Sequence, residues 1–273
     1  MIIRALAENT AISDEYSCEH GLSLYIETKL HKILFDMGRK KIFYENAVKM
    51  NVDLSAVDIA FISHGHFDHG GGLRLFLNQN DKAKVYVNAN AFDAHRSHRD
   101  SGLEDIGLER SLFSTQRFVL VGDHMIIDNE LELFSDIRTS DLLCKSQKTL
   151  MMESAVGFVP DTFEHEQNLI ITQGERTALI AGCAHRGIVN ILNRYIEIKG
   201  KAPDLVLGGF HLSNPETGAG EEPALVLQIA QYLKTLPTKY YTCHCTGLAQ
   251  YQLLKDHLGD QISYLATGGT IEF

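Results

Sequence analysis

Residues 61–72 read Phe61-Ile62-Ser63-His64-Gly65-His66-Phe67-Asp68-His69-Gly70-Gly71-Gly72. The apolar run from Val57 to Ile62 is short and rich in β-branched and aromatic side chains, which predicts a buried strand ended by Ser63 and Gly65. The three glycines let the backbone turn tightly before Leu73-Arg74-Leu75-Phe76-Leu77, the expected start of a helix. His64 and His66, two apart at a strand end, can reach one ion together. Asp68 and His69, just past the turn, can face a second. Neutral imidazole and carboxylate oxygen suit zinc, manganese or iron. A polar loop whose histidines merely cap the helix is the plainer reading, but four donors within six residues are too dense for it.

Outward from this stretch, a length of 273 residues bounds the chain to one large domain or two small ones, and 44% hydrophobic residues supply a sizeable core. The formal net charge of −10 argues against a phosphate-tracking groove, so a small molecule is expected as substrate rather than nucleic acid. No apolar run approaches membrane-spanning length, and Met1-Ile2-Ile3-Arg4 lacks the layout of a signal peptide. Five cysteines, an odd number and mostly near histidines, fit a reducing cytoplasm better than a disulfide framework. A homo-oligomer is left open.

Strands are expected at 2–7, 22–27, 32–35 and 84–87, with a helix over 39–52. Residues 118–121 and 126–134 read as strands of a second half-sheet. His20, in the loop before the second strand, is either an ordinary loop residue or part of a substrate pocket. The charged run His95-Arg96-Ser97-His98-Arg99-Asp100 reads first as a solvated face, with Arg96 or Arg99 as phosphate contacts if the substrate is anionic. Residues 138–157 receive no assignment beyond a long connection that could drape over an active site.

In the second half, 169–172 and 177–181 form an expected hairpin around Gln173-Gly174-Glu175-Arg176. Its second strand runs into Gly182-Cys183-Ala184-His185, followed by a helix, which makes His185 a third candidate ligand. The same strand, histidine, helix order recurs at His211 and at His244, the first ending a strand that starts at 204, with a helix over 222–236 after it, the second ending a strand that starts at 239, with a helix through Leu258 after it. A last strand is expected at 262–266. Several strand ends delivering histidines are how a site is built on rigid elements. His211 is open between weak ligand, catalytic acid or base, and pocket wall. A zinc-finger reading of Cys243-His244-Cys245 lacks a second cysteine pair.

The His-x-His-x-Asp-His block resembles the signature of the metallo-β-lactamase-fold hydrolase superfamily. Ile33-Leu34-Phe35-Asp36, Gly182-Cys183-Ala184-His185-Arg186-Gly187, Gly208-Gly209-Phe210-His211-Leu212 and His244-Cys245-Thr246-Gly247 follow in the order of one subgroup. That subgroup comprises the 7,8-dihydropterin-6-yl-methyl-4-(β-D-ribofuranosyl)aminobenzene 5'-phosphate synthase-like proteins, and the likeness covers nearly the whole chain. The resemblance implies an α+β fold, a four-layer αββα sandwich in a single domain over 1–273. It also implies that Asp36 supports the metal loop without ligating. Two positions depart from the superfamily pattern. Cys183 or His185 stands where a bridging aspartate is usual, and an isolated histidine between the first motif and that strand has only His165 and Glu166 as poor candidates.

The leading reading is a cytoplasmic metallo-hydrolase for an ester or phosphoester, with two ions, zinc first and manganese or iron as alternatives. His64, His66 and His185 would hold one ion; Asp68, His69 and His244 would hold the other. Asp68 and His211 are the expected proton-transfer residues, Cys183 supports the centre, and His20, Arg96 and Arg186 line the substrate. Iron-dependent redox chemistry and a non-catalytic metal-stabilised binding protein are the alternatives.

Overall fold

The apolar run ahead of the histidines folds as the strand Ile59–Ile62, with all four side chains buried. The computed structural model describes residues 1–114, 116–214 and 217–273, and this strand lies in the first of two units. The first unit comprises Met1–Gly122, Thr149–Gln167 and Ala266–Phe273; the second comprises Asp123–Lys148 and Asn168–Leu265.

The main sheet of the first unit has seven strands, in the order Thr270–Glu272, Ile2–Ala7, Ser23–Glu27, Lys32–Phe35, Ile59–Ile62, Lys84–Asn88 and Phe118–Val121. Pairing is antiparallel as far as Lys32–Phe35 and parallel beyond it. A parallel connection must cross back over the sheet, and helices Ile42–Lys49 and Leu73–Gln79 make two of these crossings. Their apolar faces bury Phe43, Ala47, Leu73 and Phe76 with Leu34, Ala60, Ile62 and Val85. The parallel register sets Phe35 opposite Phe61, so Asp36 and Ser63 leave the sheet at the same edge. That register positions the histidine-bearing loop that follows Ile59–Ile62.

A second sheet in this unit has four strands, ordered Gly157–Pro160, Leu150–Ser154, His95–Arg99 and Gly102–Asp105. Here the reading of 95–100 as a solvated face needs correction. Charge masked a period of two: His95 and Ser97 turn inward and are buried, while Arg96 and His98 lie on the other face. The unassigned stretch 138–157 supplies the partner strand, with Met152 opposite His95.

The sheet of the second unit also has seven strands, ordered Ile262–Tyr264, Lys239–Thr242, Leu205–Gly208, Arg176–Ile180, Asn168–Gln173, Leu131–Phe134 and His124–Ile126. The first four run parallel, and Ile188–Lys199, Pro223–Lys234 and Leu248–Leu258 are the helices between them. Leu179, Leu192, Val206, Ile229, Tyr240 and Leu254 form their shared core. Because three consecutive parallel strands end together, the segments holding His185, His211 and His244 emerge at one edge of this sheet. Pro215, the proline of the expected loop before the helix at 222, lies outside the described residues.

Two further expectations change. Phe118–Val121 pairs with Lys84–Asn88 at the edge of the first unit's sheet, not in a second half-sheet. The stretch 126–134 is two antiparallel strands, His124–Ile126 and Leu131–Phe134, because Asp128 turns the chain by accepting the N–H groups of Glu130 at 2.7 Å and Leu131 at 3.0 Å. Sheets with parallel and antiparallel halves, joined by helices, give the expected α+β class. Among the described residues no helix is long and apolar enough to cross a membrane.

Candidate metal centre

In the first unit the histidine-bearing loop is built around Asp36, which turns off the strand end with φ +58°. A non-glycine residue in this region is uncommon and is held there by its contacts. Its Oδ1 accepts the Ser63 N–H at 2.7 Å, and its Oδ2 accepts the Ser63 hydroxyl at 2.7 Å. The same Oδ2 lies 2.6 Å from His69 Nδ1, with both side chains fully buried. His64 Nδ1 is 2.9 Å from Ser63 Oγ. Asp36 therefore holds Nδ1 of His69 directly and Nδ1 of His64 through the Ser63 hydroxyl, an arrangement that fixes the orientation of an imidazole and prepares it for a cation. The His64 ring centroid is 4.6 Å from that of His66 and 4.1 Å from that of His69.

Burial, with His165 next to it, holds His66 well below the ordinary imidazole range against the opposing charge of Asp68. A neutral ring is the form that ligates. Asp68 Oδ2 is 3.2 Å from His20 Nε2 and 3.7 Å from His69 Nε2. His20 Nδ1 faces the Asn9 side-chain amide at 3.2 Å, so His20 is a partner of Asp68 rather than a loose loop residue.

Behind the loop lies a group that sequence reasoning missed. The Gly65 N–H donates to His165 Nδ1 at 2.9 Å. His165 Nε2 and His95 Nδ1 both lie against Asp161 Oδ2, at 3.2 and 3.1 Å. Burial pushes the Asp161 carboxyl up, but the hydrogen bonds from His165 and His95 outweigh it and hold it below the usual carboxylate range. Burial lowers His165 despite that hydrogen bond. Gln167 continues the brace, its N–H donating to the Ser63 carbonyl and its side-chain amide to that of Ile62, both at 2.8 Å. His165, a poor candidate by sequence, thus clamps the backbone between His64 and His66. The four-residue spacing of Asp161 and His165 was the available signal.

The second unit brings Cys183, His185, His211, His244 and Cys245 to its sheet edge, all buried. Ala184, His211 and His244 there carry φ of +55°, +50° and +50°, strain of the kind that collects at functional sites. The rings of His185 and His211 are 4.2 Å apart. Donor atoms of Cys183, His211 and Cys245 lie within 4.8 Å of one another. Burial raises the Cys245 thiol, but hydrogen bonds with Cys183 and His211 and the charge of His244 bring it well below the ordinary thiol value. Of the expected substrate contacts, the Arg96 guanidinium lies 4.7 Å over the Phe158 ring, Arg99 pairs with Glu104 at 2.8 Å, and Arg186 donates to the Ile137 carbonyl at 2.7 Å.

The donor set fits a transition-metal cation. Among the described residues, Nε2 of His95 and Nδ1 of His211 are buried with no hydrogen-bond partner. Buried polar atoms are otherwise nearly always satisfied. Imidazole, carboxylate and thiolate in these surroundings suit zinc, manganese or iron.

Known proteins extend this reading. The chain is similar to Tm1679, a metal-dependent hydrolase of the β-lactamase superfamily, with a TM-score of 0.84, 26% identity and coverage of 100% of this chain and 99% of that one. This likeness bears out the expected fold class. It is 26% identical to the 7,8-dihydropterin-6-methyl-4-(β-D-ribofuranosyl)-aminobenzene-5'-phosphate synthase of Methanocaldococcus jannaschii, over 99% of this chain and 96% of that protein. It is 29% identical to an uncharacterized protein of the same organism, over 90% of this chain and 91% of that one. The sequence pattern of the metallo-β-lactamase superfamily matches residues 17–243, and the chain belongs to that superfamily.

Proposed function

We propose that the protein is a metal-dependent hydrolase of a small ester or phosphoester, acting in the cytoplasm as a single functional domain. The observation that carries this reading is the Asp36–Ser63–His69 network, a buried carboxylate that fixes the orientation of the loop histidines. His64, His66 and His185 are proposed for one ion and Asp68, His69 and His244 for the other, zinc before manganese or iron. When bound, such ions lower the pKa of water to near neutrality and polarise the oxygen of the bond to be cleaved.

The chain's own groups do the rest. Asp68 takes the proton of the attacking water whenever it does not ligate, and His20, held at 3.2 Å, steers its Oδ2. His211 returns a proton to the leaving group. Cys183 supports the centre, and either it or His185 stands where a bridging aspartate is usual. Arg96 and Arg186 are proposed to recognise a phosphate or another anionic group. The name of the synthase relative puts 7,8-dihydropterins and ribofuranosyl-aminobenzene phosphates first among compounds to assay.

A second reading, iron-dependent redox chemistry, draws support from the neighbouring Cys183, His211 and Cys245, whose sulfur is soft enough to tune iron. Elemental analysis with a visible spectrum separates the two. Colourless zinc or manganese protein with esterase or phosphoesterase turnover, lost in His66→Ala and Asp68→Ala, supports the hydrolase. Iron with visible absorption and oxygen consumption replaces it with the redox reading. Tight metal retention with no turnover on either panel leaves a binding protein.

A further inference from the structure

We propose that His95 is an additional metal ligand, presenting Nε2 beside His66, with Asp161 as the carboxylate that orients it. The inference rests on the reading above in one respect, that His66 holds an ion. None of the sequence motifs assigns His95 such a role.

Three observations converge on it. First, Asp161 Oδ2 accepts at 3.1 Å from His95 Nδ1, so that nitrogen carries the ring proton and Nε2 carries the lone pair. A carboxylate behind an imidazole in this tautomer is the usual support of a ligating histidine. Second, Nε2 has no hydrogen-bond partner among the described residues although His95 is only 1% exposed. Third, Nε2 faces the metal loop. A Cβ built on Gly65 would stand 2.6 Å from it, and the His95 ring lies edge-on to His66 with centroids 5.7 Å apart. Donor atoms of His66, His95, Asp161 and His165 all lie within 4.8 Å of one another.

His165 does not qualify by the same argument. Its Nδ1 takes the Gly65 N–H and its Nε2 turns to Asp161, so both ring nitrogens are already engaged. Asp161 Oδ2, held between two imidazoles, is likewise spoken for. Of His95, Asp161 and His165, His95 is the one whose ring nitrogen has no hydrogen-bond partner among the described residues, and the glycine at 65 leaves the space through which that nitrogen faces the loop.

The test uses the full chain stripped of metal and titrated with Zn²⁺ against a chromophoric chelator, followed by X-ray absorption at the zinc edge. His95→Gln, His95→Ala and Asp161→Asn are compared with the parent, with circular dichroism and thermal unfolding as folding controls. His95→Gln keeps volume and polarity if the alanine variant fails to fold. Both His95 variants are expected to weaken the tightest zinc site about 10- to 100-fold and to lose imidazole scattering; Asp161→Asn weakens it while retaining the scattering. Parent-like affinity and scattering in His95→Gln overturns the inference. Weaker binding with the full imidazole signal also overturns it, because His95 would then act only on the position of His66. A parent that binds no zinc, manganese or iron overturns the metallo-hydrolase reading as well, an outcome visible before any variant is made.

Discussion

His69 Nδ1 lies 2.6 Å from Asp36 Oδ2, and neither side chain reaches solvent. The pair exists because two parallel strands, in the register Phe35 opposite Phe61, end at one edge of their sheet. Asp36 also takes both hydrogen bonds of Ser63, so one carboxylate fixes the strand end and the ring together. Asp36→Asn keeps the shape but sets an amide N–H against a ring N–H or a Ser63 donor. Its expected cost is about 3 kcal/mol of stability, as for a broken buried pair, with zinc binding weakened about 10- to 100-fold. Urea unfolding and zinc titration measure the two separately. Parent values in both would mean that Asp36 does not organise the loop.

Gly65 marks a second point of close approach. A Cβ there would lie 2.5 Å from the Ala91 carbonyl oxygen and 2.6 Å from His95 Nε2. The backbone oxygen cannot give way cheaply, so Gly65→Ala is expected to lose about 1–3 kcal/mol by overpacking. Gly122→Ala meets nothing within 4 Å and serves as the control, with an effect inside about 0.5 kcal/mol. Equal unfolding midpoints for the two variants would contradict this account of the loop.

What was legible in the sequence has a common cause. His64, His66, Asp68 and His69 fall within six residues, so their spacing alone marks them as candidate ligands. His185, His211 and His244 follow apolar runs that end in glycine or small polar residues, a local signal of a strand end. In the brace of His95, Asp161 and His165 the four-residue spacing of Asp161 and His165 was the one local signal, and nothing local tied His95 to them. Long-range antiparallel pairing, Met152 opposite His95, and a single backbone contact from Gly65 to His165 bring it together. Neither follows from any local period. The charged residues of this strand, Arg96 on the outward face and Arg99 at its end, also hid the alternation that buries His95. For the same reason the terminal strand Thr270–Glu272 went unread: its place is set by pairing with Ile2–Arg4 at the other end of the chain.

Stability should also depend on pH through the second unit. Arg194 grips Asp136 with two donors, at 2.9 and 2.7 Å, and Arg138 adds a third at 2.9 Å. Partial burial pushes this carboxyl up, but the arginines outweigh it and hold it below the usual carboxylate range. A folded-state pKa below the unfolded value of about 3.9 gives stability that is full above that value and fades as pH falls through the folded one. Asp136→Asn is therefore expected to cost about 1 kcal/mol at neutral pH and progressively less in acid. Urea unfolding at pH 7 and near pH 3 reads the gap between parent and variant. A gap that stays constant would remove the ion pair from the explanation.

His20 and Arg96 separate chemistry from recognition in the proposed hydrolase. His20 sits 3.2 Å from Asp68 Oδ2 and is anchored by Asn9, so its effect should appear in turnover. His20→Gln is expected to lower kcat about 100-fold, the lower end of a general acid–base contribution, with metal content and KM little changed. Arg96 lies with its guanidinium 4.7 Å over the Phe158 ring, a contact that holds the group by its face. Arg96→Ala should raise KM about tenfold for a phosphorylated ester, the loss of roughly 1.4 kcal/mol, and leave its unphosphorylated counterpart unaffected. Steady-state kinetics on such a matched pair of substrates reads both variants. A KM effect from His20→Gln with kcat intact, or an equal Arg96→Ala effect on both substrates, would reverse the assignment of roles.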